Sequence, residues 1–403
     1  MKKILTLFLC LIGYFSIAQD TTKVLFIGNS ITYFNNMPQT FEAIANSKGD
    51  TTQVTVYAPG GTGFLNHVVN PQVFEKFREG IWDFVVLQPG SNESPGYSEP
   101  VANTKDRARI LKDSILLYNP CAQILFYEIS YGVWGNTPSQ IDQYNTTMDL
   151  IRTNVSQWSD STELFFAPAG EAVRRAWNND PSVLLWGSTG DIHPNTKGSY
   201  IIACSFYASI FQKPSLGSGV FTSLTSQEAE MYQLLADTTV LNQKVDWRIN
   251  TFNQFTDFTF TMNQLEVDFN SSSVNIDSLE WDFGDGTVST MASEMHTYLS
   301  PNTYTVTLTT YRNGCIQKTT KEVDLLTASL NTLFNQPTIY LYPNPTNSTI
   351  TIVGVEKGVS MNIYSIEGDL IQTTKELTVD ISQFQEGIYF IRVEDKVLKW
   401  VKK

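Results

Sequence analysis

Val24-Leu25-Phe26-Ile27-Gly28-Asn29-Ser30 is an apolar run that stops abruptly on glycine, asparagine and serine. Consecutive apolar side chains of this kind read as a strand buried on both faces, as parallel strands are. Gly28 lets the chain turn sharply at the strand's end. Ser30 is then left at the carboxyl edge of a sheet, where open α/β folds place their ligands. A serine there is either a helix N-cap or a nucleophile. What decides is whether the chain supplies a base, a group to orient it, and donors for an oxyanion.

Outward from this stretch, apolar runs recur at Val54–Tyr57, Phe84–Leu87, Ile124–Tyr127 and Leu164–Phe166. Helical patterns lie between them. Arg107–Leu117 carries apolar residues at Ile110, Leu111, Ile115 and Leu116. Ile141–Trp158 carries them at Ile141, Tyr144, Met148, Ile151, Val155 and Trp158, and Asn195–Phe211 closes the series. Such alternation predicts an α/β unit, a doubly wound parallel sheet covered on both faces. One more helix is expected over Ser226–Lys244, ending near Asp246-Trp247-Arg248, which places the unit at 19–249. From about Thr251 the period changes to two, as in Thr303–Leu308, and Trp281–Thr287 is a turn cluster. A small β-sandwich over 250–327 is expected, then a linker at 328–337 and a second small β-sandwich over 338–403.

A chain of 403 residues exceeds one ordinary core. Lys2 and Lys3, the apolar run from Ile4 to Phe15 and Ser16-Ile17-Ala18 read as a signal peptide, 1–18, too short to span a bilayer. Its removal takes the net charge from −13 to −15. That surface repels phosphate backbones, so nucleic acid is excluded as a partner. No later run reaches membrane-spanning length. Cys121, Cys204 and Cys315 remain, without metal-ligand spacing, and read as buried free thiols with a Cys121–Cys204 disulfide as the alternative. No metal or other cofactor is expected.

The chain has three histidines, so a base can be sought by elimination. His296 falls in the all-β region. His67 follows the Gly60–Gly63 cluster and reads as a helix-surface residue. His193, in Gly190-Asp191-Ile192-His193-Pro194-Asn195, stands on a loop leading into the last helix of the α/β series, and is the best candidate. Donors must come from loops after neighbouring strands. Pro59-Gly60-Gly61-Thr62-Gly63 follows the second strand, and its glycines let backbone N–H groups approach a substrate. Gln88-Pro89-Gly90-Ser91-Asn92-Glu93 follows the third, where Asn92 offers an amide. Each alone is an ordinary turn. Together Ser, Gly, Asn and His come in order at one sheet edge.

Residues 22–245 thus resemble the SGNH (GDSL-type) hydrolase superfamily, with blocks at Gly28-Asn29-Ser30, Gly60–Gly63, Gly90-Ser91-Asn92-Glu93 and His193-Pro194. The resemblance implies a flavodoxin-like fold, Ser30 as nucleophile and His193 as base. It implies an oxyanion hole of the Ser30 N–H, the Gly63 N–H (Gly61 the alternative) and the Asn92 amide. Asn29 and Glu93 stand where the family has Asp, both mild changes. The family's orienting Asp lies three residues before the His, where this chain has Gly190. Asp191 stands two before, so either the loop shifts register to bring Asp191 to the imidazole or a backbone carbonyl orients it. Tyr33, Phe34 and Trp134 are candidates to stack on a sugar or an acyl chain.

Trp281-Asp282-Phe283-Gly284-Asp285-Gly286-Thr287, His296-Thr297-Tyr298 and Tyr304–Leu308 resemble a PKD domain, which accounts for His296 structurally. Tyr342-Pro343-Asn344-Pro345, Gly387–Val393 and Lys402-Lys403 resemble the C-terminal sorting domain of the type IX secretion system. These resemblances imply a secreted or surface-attached protein that engages that machinery. They imply a serine esterase, with acetylated polysaccharide as the expected substrate. A lipase or arylesterase is one alternative. A catalytically weak glycan-binding or adhesion protein is another.

Overall fold

A computed structural model describes residues 21–326, 339–366, 368–393 and 396–403. The signal peptide and the linker expected from the sequence lie outside them. Five strands, β1 (Thr22–Ile27), β2 (Thr52–Tyr57), β3 (Phe84–Leu87), β4 (Gln123–Tyr127) and β5 (Phe165–Ala167), form one sheet in the order β2-β1-β3-β4-β5. Every pairing is parallel, with Val24 opposite both Val54 and Phe84. This is the flavodoxin-like doubly wound order, and its switch point lies between β1 and β3.

Nine helices are described over this unit: α1 (Ser30–Tyr33), α2 (Met37–Ser47), α3 (Phe64–His67), α4 (Pro71–Glu79), α5 (Val101–Tyr118), α6 (Pro138–Thr162), α7 (Ala169–Asn179), α8 (Thr196–Phe211) and α9 (Ser226–Leu241). Successive residues of a strand point to opposite faces, and β4 shows both. Phe126 meets Trp158 of α6 edge-on at 6.2 Å, while Tyr127 meets Phe206 of α8 at 5.0 Å. Val24, Leu25, Phe26 and Ile27 are all fully buried, as a strand covered on both faces requires. Helix α8 is buried almost all round, between α2, α7 and α9, which explains its lack of a polar face.

The next region has two antiparallel sheets. One orders its strands 293–297, 266–271, 258–263, and the other 315–324, 303–312, 278–282, 288–289. Trp281 packs against Phe258 at 5.0 Å and Phe269 at 5.6 Å, which joins the sheets. His296 Nε2 lies 2.7 Å from Asp285 Oδ2, and its ring stacks on Phe283 at 4.2 Å. The described residues between 340 and 402 form sheets of three and four strands around one core that includes Ile350, Met361, Ile391 and Trp400. No helix among the described residues is long and apolar enough to cross a membrane.

The cysteines correct the sequence reading. Cys121 is bonded to Cys315, 194 residues away, and among the described residues only Cys204 is a buried free thiol. Cys121 stands two residues before β4, at the amino edge of the parallel sheet. The turn carrying Cys315 meets that edge, and Arg312 Nη1 beside it donates to the Phe252 carbonyl at 2.6 Å. Such a pairing depends on how two folded pieces dock, which spacing does not encode.

Candidate functional site

Gly28 ends β1 and sits where a Cβ would collide with Gln88 and Thr32. Close approach, rather than a left-handed turn, is what requires glycine there. Asn29 then N-caps α1, its Oδ1 accepting the Ile31 N–H at 3.0 Å. Its Nδ2 donates to the Thr62 carbonyl at 2.6 Å, and its own N–H donates to Gln88 Oε1 at 2.8 Å. The asparagine therefore ties the first, second and third strand ends together, using its amide as donor and acceptor at once. Ser30 follows at the first position of the helix, half-buried.

His193 reaches this serine from across the sheet edge. Its Nε2 lies 2.8 Å from Ser30 Oγ, and its Nδ1 lies 2.6 Å from Asp191 Oδ1. Of the two ways the sequence left to orient the imidazole, the structure has Asp191 at the ring. The His193 backbone N–H donates to the same carboxylate oxygen at 2.9 Å. Burial pushes the Asp191 carboxyl up. Hydrogen bonds from the His193 backbone and ring, the imidazole charge and the Ile192 N–H outweigh it and hold the group below the usual carboxylate range. An imidazole oriented by a carboxylate and 2.8 Å from a hydroxyl can accept its proton.

The base loop is held on several sides. Asn195 caps α8 through the Lys197 and Gly198 N–H groups, and its Nδ2 donates to the Leu184 and Trp186 carbonyls. Asn35, just after the Ser30 helix, donates to the Pro194 carbonyl at 2.7 Å. Gly190 donates to the Val133 carbonyl at 2.8 Å. The buried Gly132 lies against the Asp191 carbonyl so closely that a Cβ would collide with it.

The glycine loop ends in Gly63, which N-caps α3. Its N–H donates to Asn66 Oδ1 at 3.0 Å, so an oxyanion here would take over an existing bond. The Glu93 carboxylate accepts the N–H groups of Phe64 at 2.8 Å, Leu65 at 2.9 Å and Gly90 at 2.8 Å. It locks the glycine loop to the loop of Asn92. Asn92 is exposed, and its Oδ1 accepts the Tyr131 hydroxyl at 3.1 Å.

Phe34 stacks on the His193 ring at 4.3 Å, and Tyr33 stacks on Phe34 at 5.7 Å. Tyr33 and Trp134 are exposed, and the Trp134 ring lies over Gly190. The structure departs from the sequence reading at His67, which is wholly buried rather than on a helix surface. Burial lowers its pKa, opposed by the Glu93 charge and the Gly28 carbonyl. Gln88, Asn35, Asn66 and Tyr131 were missed. A polar Gln88 directly after a fully apolar strand was a usable signal, whereas Tyr131 had none.

Residues 256–325 match the family model of the PKD domain, and residues 340–403 that of the secretion system C-terminal sorting domain. The latter indicates export by the type IX route, to the cell surface or beyond. No curated protein matches the chain. Solved structures similar to its α/β unit include a DUF4886 family protein from Bacteroides uniformis. It is 17% identical, over 55% of this chain and 95% of its own, with a TM-score of 0.46. A provisionally assigned SGNH hydrolase from Slackia heliotrinireducens is 20% identical, over 47% of this chain and 98% of its own, at 0.38. The acetylxylan esterase Axe2 from Geobacillus stearothermophilus is 16% identical, over 46% of this chain and 92% of its own, at 0.35.

Proposed function

We propose that the chain is a secreted serine ester hydrolase working by two-step acyl transfer, and that its natural esters are acetyl groups on a polysaccharide. One observation carries the chemistry: the unbroken hydrogen-bonded line from Ser30 Oγ through His193 to Asp191. His193 Nε2 takes the Ser30 proton as Oγ attacks the ester carbonyl. The oxyanion rests on the Ser30 N–H, the Gly63 N–H and the Asn92 amide. His193 passes its proton to the leaving alcohol. It then deprotonates the water that attacks the acyl-serine, and collapse of the second intermediate frees Ser30. Asp191 holds the imidazole in the reactive tautomer and stabilises the imidazolium.

The carbohydrate reading is supported by the modules that follow the α/β unit and by the exposed rings of Tyr33 and Trp134 around His193. Aromatic faces of this kind suit sugar rings. The test is p-nitrophenyl acetate hydrolysis by the wild type and by Ser30→Ala. Equal rates would end the catalytic reading. Acetylated xylan, acetylated pectin and long-chain esters, compared next, assign the substrate class; preference for long acyl chains would end the carbohydrate reading.

A further inference from the structure

The loop after β4 touches both halves of the proposed machinery, and the acyl-transfer steps above give it no role. At one end the Tyr131 hydroxyl donates to Asn92 Oδ1 at 3.1 Å. At the other, Gly132 lies against the Asp191 carbonyl and the Val133 carbonyl accepts the Gly190 N–H at 2.8 Å. The loop is itself fixed. The Tyr131 N–H points to Met148 Sδ at 3.4 Å, its ring sits edge-on to Tyr97 at 6.1 Å, and Gln140 Nε2 donates to the Trp134 carbonyl at 3.0 Å.

An asparagine amide has two faces of opposite chemistry, a donor NH₂ and an acceptor carbonyl. An oxyanion hole needs the donor. Asn92 is exposed, so packing alone does not choose between the two. We propose that Tyr131 is a positioning residue that makes this choice. By donating to Oδ1, it leaves Nδ2 as the side of the Asn92 amide presented to an oxyanion. A flipped amide would set a carbonyl dipole against the developing charge. Burial, with Tyr97 contributing, raises the Tyr131 pKa, so the hydroxyl keeps the proton that it directs at Oδ1. The loop thereby sets the oxyanion donor and the base in one rigid register.

This inference rests on the serine hydrolase reading, and the experiment separates the two. The full chain is assayed with p-nitrophenyl acetate as wild type, Ser30→Ala, Tyr131→Phe, Asn92→Ala and the Tyr131→Phe/Asn92→Ala double variant. Loss of an oxyanion donor costs about 10²–10³ in kcat. Tyr131→Phe, which keeps the ring and its packing, is expected to lower kcat about tenfold or more with KM within about twofold. The double variant should be no slower than Asn92→Ala alone, a coupling that a merely structural role would not produce. Wild-type kcat in Tyr131→Phe, multiplying effects in the double variant, or full turnover in Asn92→Ala would each overturn the proposal while leaving Ser30-dependent hydrolysis intact. A wild type no faster than Ser30→Ala would instead overturn the hydrolase reading, and this inference with it.

Discussion

Asp191 holds His193 twice through one oxygen: Oδ1 accepts the backbone N–H at 2.9 Å and lies 2.6 Å from ring Nδ1. Two residues of separation suffice because the backbone contact folds the carboxylate back over the imidazole. Removing it should cost turnover, not substrate binding. Asp191→Ala is expected to lower kcat by about 10⁴-fold, the scale seen when a triad loses its carboxylate. Steady-state kinetics beside His193→Ala would check this. Near-full turnover in Asp191→Ala would show that the carboxylate does not orient the base.

The same carboxylate depends on two glycines. A Cβ at Gly132 would press on the Asp191 carbonyl, and one at Gly187 would lie 2.5 Å from Asp191 Oδ2. Gly132→Ala should displace the base loop and reduce kcat/KM by at least about tenfold, since misplacement of about 1 Å can cost 10²-fold. The melting temperature should change little relative to activity. A variant with wild-type kinetics would mean that the loop yields without moving His193.

Asn29 replaces the Asp of the resembling family, yet the replacement is not neutral here. Asn29→Asp would set an acceptor against the Thr62 carbonyl now held at 2.6 Å by the amide. With Asn29 buried, about 1–3 kcal/mol of stability should be lost at neutral pH, and part of it regained in acid as the new carboxyl protonates. Urea denaturation at two pH values measures both effects.

His67 gives a pH dependence unconnected with catalysis. Its folded-state pKa lies below the ordinary 6.5, because burial penalises the charged ring. The unfolded chain therefore takes up a proton near that pH while the folded one does not, and stability falls as pH drops below it. The slope for one proton is at most about 1.4 kcal/mol per pH unit, ending at the folded-state pKa. Denaturant titrations from pH 8 to 5 should steepen for the wild type relative to His67→Gln. Parallel curves would remove His67 as the cause.

The Cys121–Cys315 bond closes a span of 194 residues. In the chain-entropy picture a loop of that size is worth up to about 5 kcal/mol, and typical losses on removing a native disulfide are about 2–5. Cys121→Ser/Cys315→Ser should melt well below the wild type. Its turnover at 25 °C should be unchanged, because Cys121 precedes β4 at the amino edge while Ser30 follows β1 at the carboxyl edge. Scanning calorimetry paired with the ester assay reads both.

The fold was legible where burial wrote long signals. Val24–Ile27 and Phe84–Leu87 are apolar because both faces are covered, and their order with the intervening helices fixes the winding. His67 does lie on a helix, but the single turn Phe64–His67 is too short to show by its period which face is buried, so the sequence reads it as a surface residue. Ser30, Asn92 and His193 were legible through the loops that follow apolar runs. Tyr131 was not, because its role depends on where its hydroxyl ends, a matter of two loops meeting. The Cys121–Cys315 pairing is illegible for the same reason at a larger scale.

The docking of the Arg312–Cys315 turn at the amino edge of the sheet has one more consequence. Ser30 follows β1 at the opposite rim, so that covalent staple can brace the sheet from one edge while the residues that meet at Ser30 and His193 are set at the other.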